Sequence, residues 1–169
     1  MKISTLGPIG TNSHVASIHY MERLGETGEV DLYDKPEICI ERLKVGASDC
    51  SVLCSVYPAL NEIVFRNLES IRITDSFTYN TYPMVVAARP GTKRFASSCS
   101  HPAPVHLLRG FNLEPTLVDS NSTAARLCSQ GRYDLCVTTS DAAERCNLEI
   151  VRNFDEVPMA WVVFERRGK

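Results

Sequence analysis

Lys2-Ile3-Ser4-Thr5-Leu6-Gly7-Pro8-Ile9-Gly10-Thr11-Asn12-Ser13 places a strand, a tight turn and a helix start in immediate succession. Lys2 to Leu6 reads as the strand and Gly7-Pro8-Ile9-Gly10 as the turn. Thr11-Asn12-Ser13 offers cap side chains for a helix carrying Val15, Ile18, Met21 and Tyr20 and ending near Gly25. The pattern then repeats. Val30 to Tyr33 is a short strand, Pro36 starts a helix with Ile38, Ile40 and Leu43 on its apolar face, and Cys50 to Val56 is a buried strand. The apolar run Pro83-Met84-Val85-Val86-Ala87-Ala88 suits a central strand and marks the crossing into a second lobe. After it come a His101 to Arg109 helix, a Thr116 to Val118 strand, a Ser120 to Gln130 helix, a Leu135 to Thr138 strand and a helix from Asp141. A last strand, Ala160 to Phe164, returns to the first lobe. This alternation predicts an α/β protein of two small lobes, the first about 1–80 plus 150–169 and the second about 81–149. Ligands are expected in the interlobe cleft, at strand ends and helix N-termini.

Composition narrows the function. A net charge of -2, from 18 basic and 20 acidic residues without a basic block, argues against nucleic acid as a partner. Charged residues, Pro or Gly interrupt every apolar run, so no membrane span is expected, and the first residues lack a secretory apolar region. The seven cysteines include no Cys-x-x-Cys pair and are odd in number, which predicts reduced thiols in a cytoplasm, most of them acting as small hydrophobes. No Gly-x-Ser-x-Gly elbow supports a hydrolase. The four histidines lack metal-site spacing, and Gly7-x-x-Gly10 is neither a Walker loop nor a dinucleotide fingerprint. Neither a metal nor a cofactor is inferred.

Three stretches carry chemistry. Gly7 to Ser13 sets backbone N–H groups and hydroxyls at a helix N-terminus, where a carboxylate can dock; a plain turn with a capping Thr11 accounts for the residues equally well. Asp119-Ser120-Asn121-Ser122-Thr123-Ala124-Ala125 repeats the arrangement, so two helix ends would suit a dicarboxylate. Ser100-His101-Pro102 begins the predicted helix after residue 100, and a lone His there is more often structural than catalytic. Arg89, Lys93 and Arg126 are candidate assisting cations, although such a residue taken singly is more often a solvated surface charge.

In this order and spacing the pieces resemble the catalytic domain of the prephenate dehydratase family over nearly the whole chain. That family's Gly-Pro-x-Gly-Thr-x-Ser-His looks like Gly7, Pro8, Gly10, Thr11, Ser13 and His14. Its Ser-His-Pro matches Ser100-His101-Pro102, and its small-residue helix start matches Ser122 to Ala125. The resemblance implies two lobes of periplasmic-binding-protein type II with prephenate in the cleft. The family's Thr-Arg-Phe, which supplies the acid for the departing hydroxyl, is replaced here by Met159-Ala160-Trp161, and its Pro-x-Glu-Asn-Ser by Cys54-Ser55-Val56-Tyr57-Pro58. These departures resemble a divergent branch, the prephenate decarboxylases of the bacilysin pathway and relatives. That branch carries Ser-His-Pro-x-Pro, Asn-Ser-Thr and Pro-Met-small-Trp, seen here at Ser100 to Pro104, Asn121 to Thr123 and Pro158 to Trp161. It has an acidic residue at His14, so no role transfers there. No regulatory ACT domain is expected, which would suit antibiotic or other specialised metabolism.

The expected activity is therefore non-aromatising decarboxylation of prephenate to a dihydro-4-hydroxyphenylpyruvate by a carbon–carbon lyase. The alternatives are a dehydratase or related lyase on another cyclic carboxylate, and a non-catalytic ligand-binding module. His101 and Tyr57, with His14 behind them, are the candidate proton donors. Gly10, Thr11, Ser13, Ser100, Ser122, Thr123, Met159 and Trp161 are the expected substrate contacts. The partner expected is a small dicarboxylate; a homodimer is compatible with the sequence.

Overall fold

Following the chain from its N-terminus, Lys2–Leu6 forms β1, and Asn12–Leu24 forms α1, capped by Thr11 and stopped by Gly25 in the left-handed conformation that glycine adopts without a Cβ penalty. Glu29–Tyr33 is β2, Pro36–Lys44 α2, Cys50–Cys54 β3, Leu60–Arg66 α3 and Ile71–Asn80 β4. The chain then builds β5 (Met84–Ala88), β6 (Ser98–Ser100), a 3-10 turn over Val105–Leu108, and β7 (Pro115–Leu117). Next come α4 (Asn121–Ser129), β8 (Leu135–Thr139), α5 (Ser140–Arg145) and β9 (Glu149–Asn153), before β10 (Pro158–Arg166). This computed structural model describes residues 1–168 and divides into two units, Met1–Asn80 with the stretch from Pro158 onward, and Thr81–Val157.

Each unit has its own five-stranded sheet. The first runs β2-β1-β3-β10-β4, with β1 parallel to β2 and β3, and β10 antiparallel to both its neighbours. α1 covers one face over Ile3, Val52, Phe77, Trp161 and Val163; α2 and α3 cover the other over Leu53, Ile71 and Phe164. Burying a side chain such as Trp161 or Phe164 contributes about 1.5–3 kcal/mol or more, so these apolar rows set the register of β10. The second sheet runs β7-β6-β8-β5-β9, with β5 antiparallel to β8 and β9 and β6 parallel to β7 and β8. α4 and α5 cover Val85, Ala87, Cys99 and Cys136, while Phe95, Leu107, Phe111 and Leu113 pack over Val86, Leu135 and Val137 from loops and the 3-10 turn.

Several expectations are corrected. His101 to Arg109 is not a helix, because Pro102 and Pro104 each lack an N–H and restrict the residue before them, leaving one short 3-10 turn. The return to the first unit comes at Pro158 rather than near 150, because Glu149–Asn153 pairs with β5 as an edge strand. Ile38 is 39% exposed, and α2 buries Cys39, Ile40 and Leu43 instead. The helix α3 and the strands β6 and β9 are not among the expected elements. No helix among the described residues is long and apolar enough to cross a membrane.

Candidate active site

Strand direction decides which loops share an end of each sheet. In the first unit β10 opposes both β3 and β4, so the carboxyl ends of β1, β3 and β4 meet the start of β10. Gly7 to Ser13, Ser55 to Tyr57 and Pro158 to Ala160 therefore lie at one end. In the second unit the carboxyl ends of β6, β7, β8 and β9 meet the start of β5. That end carries His101, Asp119 to Thr123 and Thr139. The chain also enters and leaves each unit at these ends, between 80 and 81 and between 157 and 158.

The Gly7 to Ser13 loop is tied internally. Gly7 N–H donates to the Tyr33 carbonyl at 2.9 Å, Thr11 N–H to the Pro8 carbonyl at 3.2 Å, and Gly10 N–H to Nδ1 of His14 at 3.2 Å. Gly10 has φ 82°, which favours glycine at this turn. The Thr11 hydroxyl accepts the His14 N–H at 3.3 Å and donates to the Leu6 carbonyl at 3.2 Å. Its proton is thus committed to the fold, and Thr11 is a cap rather than a ligand donor. The Ser13 hydroxyl has no hydrogen-bond partner among the described residues, and no acidic residue occupies the first turn of α1. Ser13 is therefore the side-chain donor this helix start offers to an anion.

At the neighbouring strand ends, Ser55 N–H donates to the Ala160 carbonyl at 2.9 Å and joins β3 to the start of β10. Trp161 is 2% exposed, with its indole N–H donating to the Tyr79 carbonyl at 3.2 Å, so it is a core residue behind the site and not an open wall. Met159 packs against the same cluster on the α1 face, whereas Tyr57 packs on the opposite face beneath α2 and α3. The structure does not bring Tyr57 and Met159 onto one face. Burial first, and then Glu37, raise the Tyr57 phenol above its ordinary value, so it stays protonated through the neutral range.

In the second unit the Ser100 hydroxyl is buried and donates to the His101 carbonyl at 2.8 Å, which makes it structural. Nδ1 of His101 accepts the Ala103 N–H at 3.3 Å. Burial lowers the His101 pKa below 6.5, against the smaller opposing pull of Asp119. Ser120, not Ser122, caps α4: its hydroxyl accepts the Thr123 N–H at 3.0 Å and donates to the Thr123 hydroxyl at 3.0 Å. The Ser122 hydroxyl and the Thr123 proton have no acceptor among the described residues. Asn121, which sequence reasoning did not single out, gives its carbonyl to the Thr138 hydroxyl at 2.8 Å, and its buried Oδ1 has no partner among the described residues. Its position within Asn121-Ser122-Thr123 was the available signal.

Two of the candidate cations, Arg89 and Lys93, lie away from this end of the sheet. Arg89 follows the carboxyl end of β5, at the far end of the sheet from α4's start, and donates to the carbonyls of Cys128 and Tyr133, both at 2.9 Å. Lys93 lies beyond the same end, and Arg126 is exposed. Among the described residues no group of three or more His, Cys, Asp or Glu is placed to hold a metal ion. All seven cysteines are free, and burial pushes Cys39, Cys50 and Cys99 up to about 12, which makes them inert thiols.

No family model matches the chain. Prephenate decarboxylase of Bacillus subtilis (strain 168) is 28% identical over 175 residues, spanning 96% of this chain and 85% of the relative. Prephenate decarboxylase of Planktothrix agardhii is 26% identical, spanning 98% and 88%. The chain is similar to prephenate decarboxylases across nearly its whole length. Among solved structures, prephenate dehydratase of Arthrobacter aurescens in complex with L-Phe matches with a TM-score of 0.75 at 16% identity, over 100% of this chain and 61% of that one. The Bordetella pertussis BvgS periplasmic VFT2 domain matches with a TM-score of 0.61 at 16% identity, over 100% and 81%. The fold is that of prephenate dehydratases and periplasmic-binding-protein-like domains.

Proposed function

We propose that this chain decarboxylates prephenate without aromatising it. The observation that carries the reading is the start of β10, where Pro158-Met159-Ala160-Trp161 offers a thioether, a methyl and a core-bound indole at the sheet end that holds the helix start of α1. None of these can protonate a departing hydroxyl, whereas expelling carbon dioxide needs no such donor. Similarity to curated prephenate decarboxylases over nearly the whole chain supports the same substrate.

Prephenate carries two carboxylates. Each unit taken by itself offers one helix-end donor set for a carboxylate: Ser13 with the first amides of α1 in the first, Ser122 and Thr123 with those of α4 in the second. As the bond from the ring to its carboxylate breaks, its electron pair forms a new ring double bond. The displaced π pair takes a proton at the allylic carbon, giving carbon dioxide and a conjugated diene that keeps the ring alcohol. Tyr57, neutral across this pH range, is the proposed acid, and water restores its proton. His14 and His101 complete the set of polar groups assigned to the substrate, and Gly10 shapes the first loop. We place the reaction in antibiotic or other specialised metabolism; the free cysteines support a reducing, cytoplasmic setting.

The test is to incubate purified protein with prephenate near neutral pH, subtract the spontaneous acid-catalysed background and identify the product by mass and NMR. A dihydro-4-hydroxyphenylpyruvate is expected. Enzyme-dependent phenylpyruvate would make the protein a dehydratase, and binding without turnover a ligand-binding module.

A further inference from the structure

We infer that His101 is held as the neutral Nε2–H tautomer and serves as a fixed hydrogen-bond donor to a substrate carboxylate, not as the source of the ring proton. The identity of that substrate rests on the decarboxylase reading above; the tautomer does not. Nδ1 of His101 accepts the Ala103 N–H at 3.3 Å. A ring nitrogen that accepts a hydrogen bond presents its lone pair and bears no proton, so the neutral ring must carry its proton on Nε2. The sequence builds this contact. In His101-Pro102-Ala103-Pro104 both prolines lack an N–H, so Ala103 supplies the one backbone donor that the turn can aim back at the imidazole.

The charge state follows the same way. His101 is half-buried, and removal from water disfavours the imidazolium. Asp119, the charged group facing it from the neighbouring strand end, pulls toward the imidazolium but is outweighed. A neutral imidazole acting as an acid would have to leave an imidazolate, which is far too basic to form at neutral pH. As a donor it has no such difficulty, and Nε2 has no partner among the described residues. Ser122 and Thr123 add hydroxyl donors at the same end of this sheet, so the second unit offers uncharged donors to an anion. The device recurs in the first unit, where Gly10 N–H donates to Nδ1 of His14 at 3.2 Å.

Two measurements decide the matter. Multiple-bond proton–nitrogen spectra of the full chain labelled with 15N-histidine are recorded from about pH 5.5 to 8, with His101 assigned by the signals missing from H101Q. Expected are a protonated Nε2 and an unprotonated Nδ1, with titration below that of a free histidine. An Nδ1–H pattern, or imidazolium persisting above neutral pH, would overturn the inference. In kinetics on prephenate, H101A should raise KM by about tenfold or more with a much smaller change in kcat, and H101Q, whose amide N–H reaches the Nε2 position, should recover most of that loss. A fall in kcat of about 10²–10⁴-fold with binding retained would mark His101 as the acid and overturn it. If the wild-type protein neither binds nor turns over prephenate, the decarboxylase reading fails while the spectra still decide the tautomer.

Discussion

Thr11 and Ser13 are two residues apart and chemically alike, yet their hydroxyls have different jobs, because the Thr11 proton goes to Leu6 and the Ser13 proton stays uncommitted. Thr11→Val should therefore cost roughly 0.5–2 kcal/mol of stability as a lost cap, measured by urea unfolding, with little change in prephenate affinity once folded. Ser13→Ala combined with Ser122→Ala should do the reverse, weakening binding by about 1.5–3 kcal/mol per lost charged contact while leaving the unfolding midpoint nearly in place. Calorimetry showing unchanged affinity in that double variant would remove the model of two helix-end anion sites. His101 also makes stability depend on pH. Its folded pKa lies below the unfolded value of 6.5, so between the two the unfolded chain binds more protons and stability rises with pH. Urea midpoints should climb from pH 5 to about 7 in the wild type and climb less in H101Q.

Helix α4 owes its start to Ser120, whose hydroxyl both accepts from the Thr123 backbone and donates to its side chain. Ser120→Ala should lower stability by roughly 0.5–2 kcal/mol and also disorder the Ser122 and Thr123 donors, so that KM rises although Ser120 itself is not assigned to the substrate. A variant with lowered stability but unaltered KM would separate the cap from the site. The edge strands show another device. The register slips at Thr74 in β4 and at Val151 in β9, so one outer edge of each sheet carries a bulge that breaks the row of free N–H and C=O groups. β9 needs this most, since all five of its residues are exposed and Ile150 and Val151 are apolar.

Across the whole molecule, seven thiols are free of disulfides and five of them are buried, with Cys54 and Cys146 partly exposed. A thiol reagent should label the folded protein only at these two and reach all seven on denaturation; rapid native labelling of Cys99, Cys128 or Cys136 would mean that the second unit's core opens readily. The topology has its own logic. The second unit is an insertion between β4 and β10, which pair with each other over nine residues of register, so the first sheet is completed only by the last strand of the chain.

Short-range physics was legible in the amino-acid sequence alone. The strand-turn-helix at Lys2 to Ser13, the caps before α1 and α4 and the insertion of one lobe into another follow from periodicity, turn residues and composition, which act within a few residues. Pro102 and Pro104 are equally local, and together they rule out the helix expected from His101 to Arg109. What only the tertiary structure decided depends on partners far away in the chain. Trp161 became core through Tyr79, 82 residues earlier, and Arg89 was withdrawn from the site by carbonyls 39 and 44 residues later. Even Thr11 and Ser13 could not be told apart until the Leu6 carbonyl was in place. A donor's availability depends on which acceptor the folded chain sets within hydrogen-bond reach, and residue spacing does not encode that.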